Sequence, residues 1–169
     1  VIEASFDLLL SLLGKHLETR KFLFGGRPSL GDFGLFAQIY CCLQQPTTAK
    51  IIKNGYPEIT DWIARMLDPK AEQGWEDWST LAPTLEPLIR KQIGDIYLPW
   101  SLANEKAVLG GKEEFSLDLM DQEFSQQSVK YAAKSIQALR TRLADTADRD
   151  ELDKILDHCG CLQPLLSQS

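Results

Sequence analysis

The side chains able to do chemistry fall into four groups. His158-Cys159-Gly160-Cys161 places an imidazole and two thiols within four residues, a set that could seed a zinc or copper site. A closed zinc site needs a fourth ligand, and His16 stands alone far upstream with no second Cys or His pair at ligand spacing. A helix end with its cysteines packed inward accounts for the same residues, so no metal is expected. Cys41-Cys42 forms a second thiol pair inside the most apolar run, Leu35 to Leu43, where a free cysteine behaves as a small buried hydrophobe. Asp32 is a carboxylate that could serve as an acid, but it stands three residues after Ser29, the spacing of a helix capping box, and a structural task is expected. Trp75, Trp78, Tyr97 and Trp100 gather around proline turns, where they could wall an apolar ligand pocket or pack a core. With no Gly-rich phosphate loop, Ser/His/Asp set or paired carboxylates at helical spacing, no catalytic or cofactor-binding residue is assigned.

Composition narrows the partners. The 169 residues carry 18 basic and 24 acidic groups, a net charge of −6 that both halves share. Nucleic acid and anionic membranes need clustered Lys and Arg, so neither is expected as a partner. At 44% hydrophobic and 25% charged the chain is globular rather than disordered. No run approaches the ~20 apolar residues of a membrane span. The chain opens at Val1 inside a helical pattern with no secretory signal, which suggests a fragment of something longer. Four cysteines without a signal fit a reducing compartment, and a cytoplasmic location is expected.

The elements that must position these residues are mostly helices. Phe6, Leu9, Leu10, Leu13 and Leu17 make one apolar stripe. Phe22-Leu23-Phe24-Gly25-Gly26-Arg27-Pro28 then breaks the helix and folds its aromatics back onto the core, and Ser29 caps the next helix. From Leu30 to Leu43 nearly every position is apolar, which predicts a rod through the middle of the domain, with Gly31 and Gly34 admitting a close neighbour. A short helix over Thr48 to Lys53 is read as ending in a left-handed Asn54-Gly55 cap. Ile59, Trp62, Ile63, Met66 and Leu67 follow at helical spacing, and polar Asp68 to Gly74 is the expected seam. A longer helix through Leu81 to Ile96 holds Pro83 and Pro87 at its beginning, and Pro99 kinks or ends it. Alternation at Phe115, Leu117 and Leu119 predicts a hairpin over about 113–126. Two terminal helices follow, the last with Asp148 and Glu151 as a capping box and Gly160 as its stop.

The segment Phe22 to Phe33 resembles the junction before the central helix of the C-terminal domain of cytosolic glutathione transferases, where a Ser or Thr cap is followed three residues later by Asp. Tyr56-Pro57-Glu58-Ile59-Thr60-Asp61-Trp62 is similar to the next helix of that family. The match covers residues 1–67. The stretch Ile96 to Asn104, the hairpin and Gly160-Cys161-Leu162 resemble, more loosely, an extended C-terminal region in some bacterial glutathione-transferase-like proteins.

The resemblance implies a mainly α fold: a helical bundle of the glutathione S-transferase C-terminal-domain type over 1–67, and over 68–169 extra helices with one small β-hairpin, packed as one unit with the first part. It implies Ser29 and Asp32 as fold-forming residues only. The family's thioredoxin-like domain, which binds glutathione and activates its thiol, has no counterpart here, so this chain is expected to be inactive alone. Glutathione would be the co-substrate, and a small electrophile the substrate, of a full-length homodimer. Tyr97, Trp100, Trp75 and Trp78 are the candidate electrophile-side wall. The alternative is a non-catalytic interaction or scaffold module of the same fold.

Overall fold

The computed structural model describes residues 1–167, which fold into two compact units: Glu3–Leu88, and Ile89 onward together with Val1–Ile2. The first unit contains α1 (Ile2–Leu17), α2 (Leu30–Cys42), α3 (Pro46–Gly55), α4 (Pro57–Leu67) and α5 (Trp78–Leu88). Leu10, Leu13 and Leu17 of α1 are buried, as are Ile59, Trp62, Ile63 and Met66 of α4, each set recurring at three- and four-residue intervals. Phe22 and Leu23 fold inward from the loop between α1 and α2.

The stretch expected to be a seam, residues 68–74, is tied into this unit instead. Gly26 N–H donates to the Gly74 carbonyl at 3.1 Å, and the Gly26 carbonyl accepts from Glu72 and Gln73. The paired glycines are required here. Gly25 has φ +118°, and a Cβ on Gly26 would stand 2.3 Å from the Gln73 Cβ.

Four local expectations are corrected. Helix α2 is not an interior rod: only Asp32 and Ile39 are buried, while Leu30, Phe33 and Tyr40 are 79%, 48% and 38% exposed. Its apolar residues nearly encircle it, but the surrounding unit covers one face. Cys41 is therefore exposed and Cys42 half-buried rather than both being core residues. Helix α3 ends without a left-handed glycine: Tyr56 (φ −139°, ψ 72°) serves both as its C-cap and as the residue leading into Pro57. Pro83 and Pro87 lie inside α5. Pro87 has no N–H to offer the Pro83 carbonyl, and two residues later the chain continues as a π-helix, Ile89–Tyr97, rather than as one regular helix.

The second unit comprises that π-helix, α6 (Leu98–Leu109), β1 (Glu114–Leu119), β2 (Gln122–Gln127), α7 (Lys130–Ala144), α8 (Asp150–His158) and α9 (Leu162–Leu166). The strands pair antiparallel from Glu114↔Gln127 to Leu119↔Gln122, with Met120 and Asp121 at φ +54° and +59° in the turn. Phe115, Leu117 and Leu119 share the face nearer α6, so alternation and burial agree. Asp148 does not cap α8. It sits at φ +49°, and Arg149 occupies the N-cap position without a side-chain cap hydrogen bond. No helix among the described residues is long and apolar enough to cross a membrane.

Two glycines give opposite expectations. A Cβ on Gly94 would stand 2.3 Å from the Cys159 carbonyl oxygen, whereas Gly34 has nothing within 4 Å. Gly94→Ala should cost about 1–3 kcal/mol through overpacking. Gly34→Ala should add up to about 1 kcal/mol by improving helix propensity. Urea unfolding of both variants checks the pair.

Candidate functional site

Two buried polar side chains, Asp32 and His16, converge on the backbone of one residue, Leu23, in the loop before α2. Its N–H donates to Asp32 Oδ1 at 2.9 Å, and its carbonyl lies 2.9 Å from His16 Nε2. A carbonyl only accepts, so Nε2 carries the imidazole proton. Nδ1 then accepts from the Thr84 hydroxyl at 2.8 Å. Thr84 also accepts from Arg20, whose Nε pairs with Glu76 at 2.9 Å and whose other nitrogen reaches the Thr80 carbonyl at 2.6 Å.

Ser29 and Asp32 form the expected capping box. The Ser29 hydroxyl accepts from Asp32 N–H at 3.2 Å, and Ser29 N–H donates to Asp32 Oδ2 at 2.9 Å. Asp32 does more than cap. Its carboxylate, fully buried, also accepts from the Ser29 hydroxyl at 2.5 Å and from Trp62 Nε1 at 3.0 Å. Four donors thus saturate it, and no oxygen is left for a substrate.

Sequence reasoning missed Trp62, His16, Thr84, Arg20 and Glu76 as members of this network. Two signals were present. Trp62 falls on the buried stripe of α4, where an indole N–H must find an acceptor, and His16 adjoins the Leu13/Leu17 stripe of α1. Pairing either with its partner needs the tertiary fold.

The four candidate wall aromatics divide between the units. Trp75 and Trp78 belong to the first, where Trp75 is 53% exposed and Arg27 lies 4.9 Å over its ring. Tyr97 and Trp100 belong to the second, with ring centroids 6.4 Å apart, and Phe115 stands 6.2 Å from Trp100. Trp100 Nε1 donates to Gln126 at 3.0 Å, so its apolar ring remains the part that a ligand could meet.

In the second unit, buried Asn104 and Glu105 are bonded internally too. Asn104 brackets Val129, donating to its carbonyl at 3.0 Å and accepting from its N–H at 2.7 Å. Arg140 reaches both oxygens of buried Glu105 at 2.7 and 2.8 Å. Cys159 and Cys161 pack inward with Leu98 and Ile136. Burial pushes the Cys161 thiol up to about 11, which keeps it protonated at neutral pH and opposes the thiolate that a metal or redox role requires. No cluster of three or more metal-ligating side chains occurs among the described residues.

Two expectations follow. Asp32→Ala leaves buried donors from Leu23, Ser29 and Trp62 without an acceptor and should cost about 3–5 kcal/mol, against about 1 kcal/mol for Ser29→Ala, both read by urea unfolding. His16 supplies a pH dependence. Burial holds its pKa below the ordinary imidazole value, with Arg20 adding to the depression and the Leu23 carbonyl opposing it. The unfolded chain then binds the extra proton first. The stabilisation is complete above pH ~6.5 and falls by up to about 1.4 kcal/mol per pH unit below it, until the folded imidazole also protonates. Replacing His16 with Gln should flatten that part of the stability profile; an unchanged slope would show that other groups set it.

Residues 1–65 match the family model described as "Glutathione S-transferase, C-terminal domain". No curated protein and no solved structure matches the chain. The matched span contains α1, the glycine loop, the Ser29/Asp32 box, α2, α3 and most of α4, the elements on which the buried carboxylate depends. Over residues 1–65 of its 169, the chain is thus similar to the C-terminal domain of glutathione S-transferases.

Proposed function

We propose that the chain is the second-substrate side of a glutathione-conjugating protein: it offers an apolar surface that orients a small electrophile, while glutathione is bound and activated elsewhere in the assembly. Orientation of this kind lowers a barrier without any group on the wall taking part in bond making. The observation that carries the reading is the solvent-facing stripe of α2, Leu30, Phe33 and Tyr40, on a helix whose first turn is anchored by the saturated Asp32 carboxylate. The buried polar side chains Asp32, His16 and Asn104 are spent on internal bonds, which supports a positioning role and inactivity alone. Tyr97 and Trp100 offer a second apolar wall in the other unit. A cytoplasmic homodimer completes the reading.

The same stripe favours a second reading, a non-catalytic interaction module, because an exposed apolar helix face also serves protein contact. One set of measurements separates them. Mixed with glutathione and 1-chloro-2,4-dinitrobenzene, the purified chain should leave the conjugation rate at its uncatalysed value; turnover by the chain alone defeats the proposal. The aryl halide by itself should quench tryptophan fluorescence saturably, with at least five-fold weaker binding in the Leu30→Ser/Phe33→Ser double variant at unchanged circular dichroism. Absence of saturable quenching would favour the interaction module.

A further inference from the structure

The hairpin of the second unit has an open edge. Its two-residue turn makes Leu119↔Gln122 a hydrogen-bonded pair, and so, two residues at a time, are Leu117↔Phe124 and Phe115↔Gln126. The backbone groups of Glu123, Ser125 and Gln127 therefore point away from β1. The sheet has two strands only, and no backbone bond to these three residues occurs among the described residues apart from β1 pairing. Helix α6 packs on β1, while β2 has no comparable neighbour except β1. Edges of this kind are ordinarily blunted by Lys, Pro or a bulge; β2 reads Gln-Glu-Phe-Ser-Gln-Gln in unbroken register and has none of them.

Charge selects what could occupy the edge. The outward face of the hairpin carries Glu114, Asp118 and Glu123, all exposed, with Asp121 at the turn. Asp118 stands directly opposite Glu123, a like-charge pairing that weakens a hairpin. No ion pair among the described residues neutralises these carboxylates. A second copy of the chain, at net charge −6, would add more negative charge to the same face. A strand with Lys or Arg at alternate positions would put its cations beside Glu123 and Asp118 while its backbone completed the ladder.

We propose that β2 is a docking edge for an extended, cationic peptide segment of a partner protein, bound by strand addition along Glu123, Ser125 and Gln127. The proposal is independent of the α2 stripe and of any glutathione chemistry. The probe is a seven-residue peptide alternating lysine with valine and threonine, titrated into the intact chain at low salt and followed by amide chemical shifts and hydrogen exchange. Saturable binding is expected, with new exchange protection at Glu123, Ser125 and Gln127. Removing the two facing charges with Asp118→Asn/Glu123→Gln should weaken it at least five-fold. The same peptide N-methylated on the amides that face the edge keeps its charge but cannot form the ladder, and it should bind at least ten-fold more weakly without requiring any variant to fold. Equal binding of the N-methylated peptide would reduce the contact to charge alone and overturn strand addition. Equal binding of a glutamate-for-lysine peptide would overturn the cationic specificity, and edge-to-edge dimerisation with no peptide binding would replace the proposed partner with a second copy.

Discussion

The backbone of one residue, Leu23, ties the helices of the first unit together. The backbone of Leu23 lies in a loop that must run inward, because Phe22 and Leu23 supply buried apolar surface. Burying a peptide there is unfavourable unless both its polar ends are bonded, and hydrophobic contact alone cannot do that. Asp32 takes the N–H from the start of α2, and His16 takes the carbonyl from the end of α1. Each of these groups is then fixed by a more distant partner, Trp62 of α4 and Thr84 of α5. Four helices are thereby registered against the two amides that flank one residue. A capping box is usually a local device of a few residues; here its carboxylate has become the junction between local helix initiation and long-range assembly.

The second unit solves the same problem with different residues. The chain leaving β2 must turn into α7, and Asn104 of α6 offers Val129 the donor and acceptor that a neighbouring strand would otherwise provide. Close approach replaces side-chain packing at Gly94, where the Cys159 carbonyl occupies the space of a missing Cβ. The π-helix that carries Gly94 follows Pro87, so a proline inside α5 and a glycine seven residues later act at successive points on one distorted stretch.

What could be read from the sequence was local. The Ser29 to Asp32 spacing, the alternation of Phe115, Leu117 and Leu119, and the glycine pair at 25–26 each depend on a few adjacent residues, and each was met. The misreadings arose where a local pattern depends on its surroundings. An apolar helix such as α2 is buried only if something covers every face, and that is a property of its neighbours. Cys41 is exposed for the same reason. Asp148 and Glu151 have capping-box spacing, but Arg149 starts the helix, because the left-handed turn at Asp148 intervenes. The network members beyond the box were invisible because His16 and Thr84 are 68 residues apart, as Asp32 and Trp62 are 30 apart.

This division between local and distant bonds also bears on function. The buried groups that look chemically potent on paper, Asp32 and His16, are engaged by internal bonds, and a saturated acceptor has nothing left to offer a substrate. Whatever this chain recognises must then be met by groups that folding left unsatisfied. Two such sets stand out: the apolar stripe of α2, whose side chains lack cover, and the outer edge of β2, whose backbone lacks a ladder. They call for opposite chemistries, one apolar and indifferent to salt, the other polar and cationic. A partner or ligand suited to one gains nothing at the other, so binding at the two surfaces is told apart by its salt dependence.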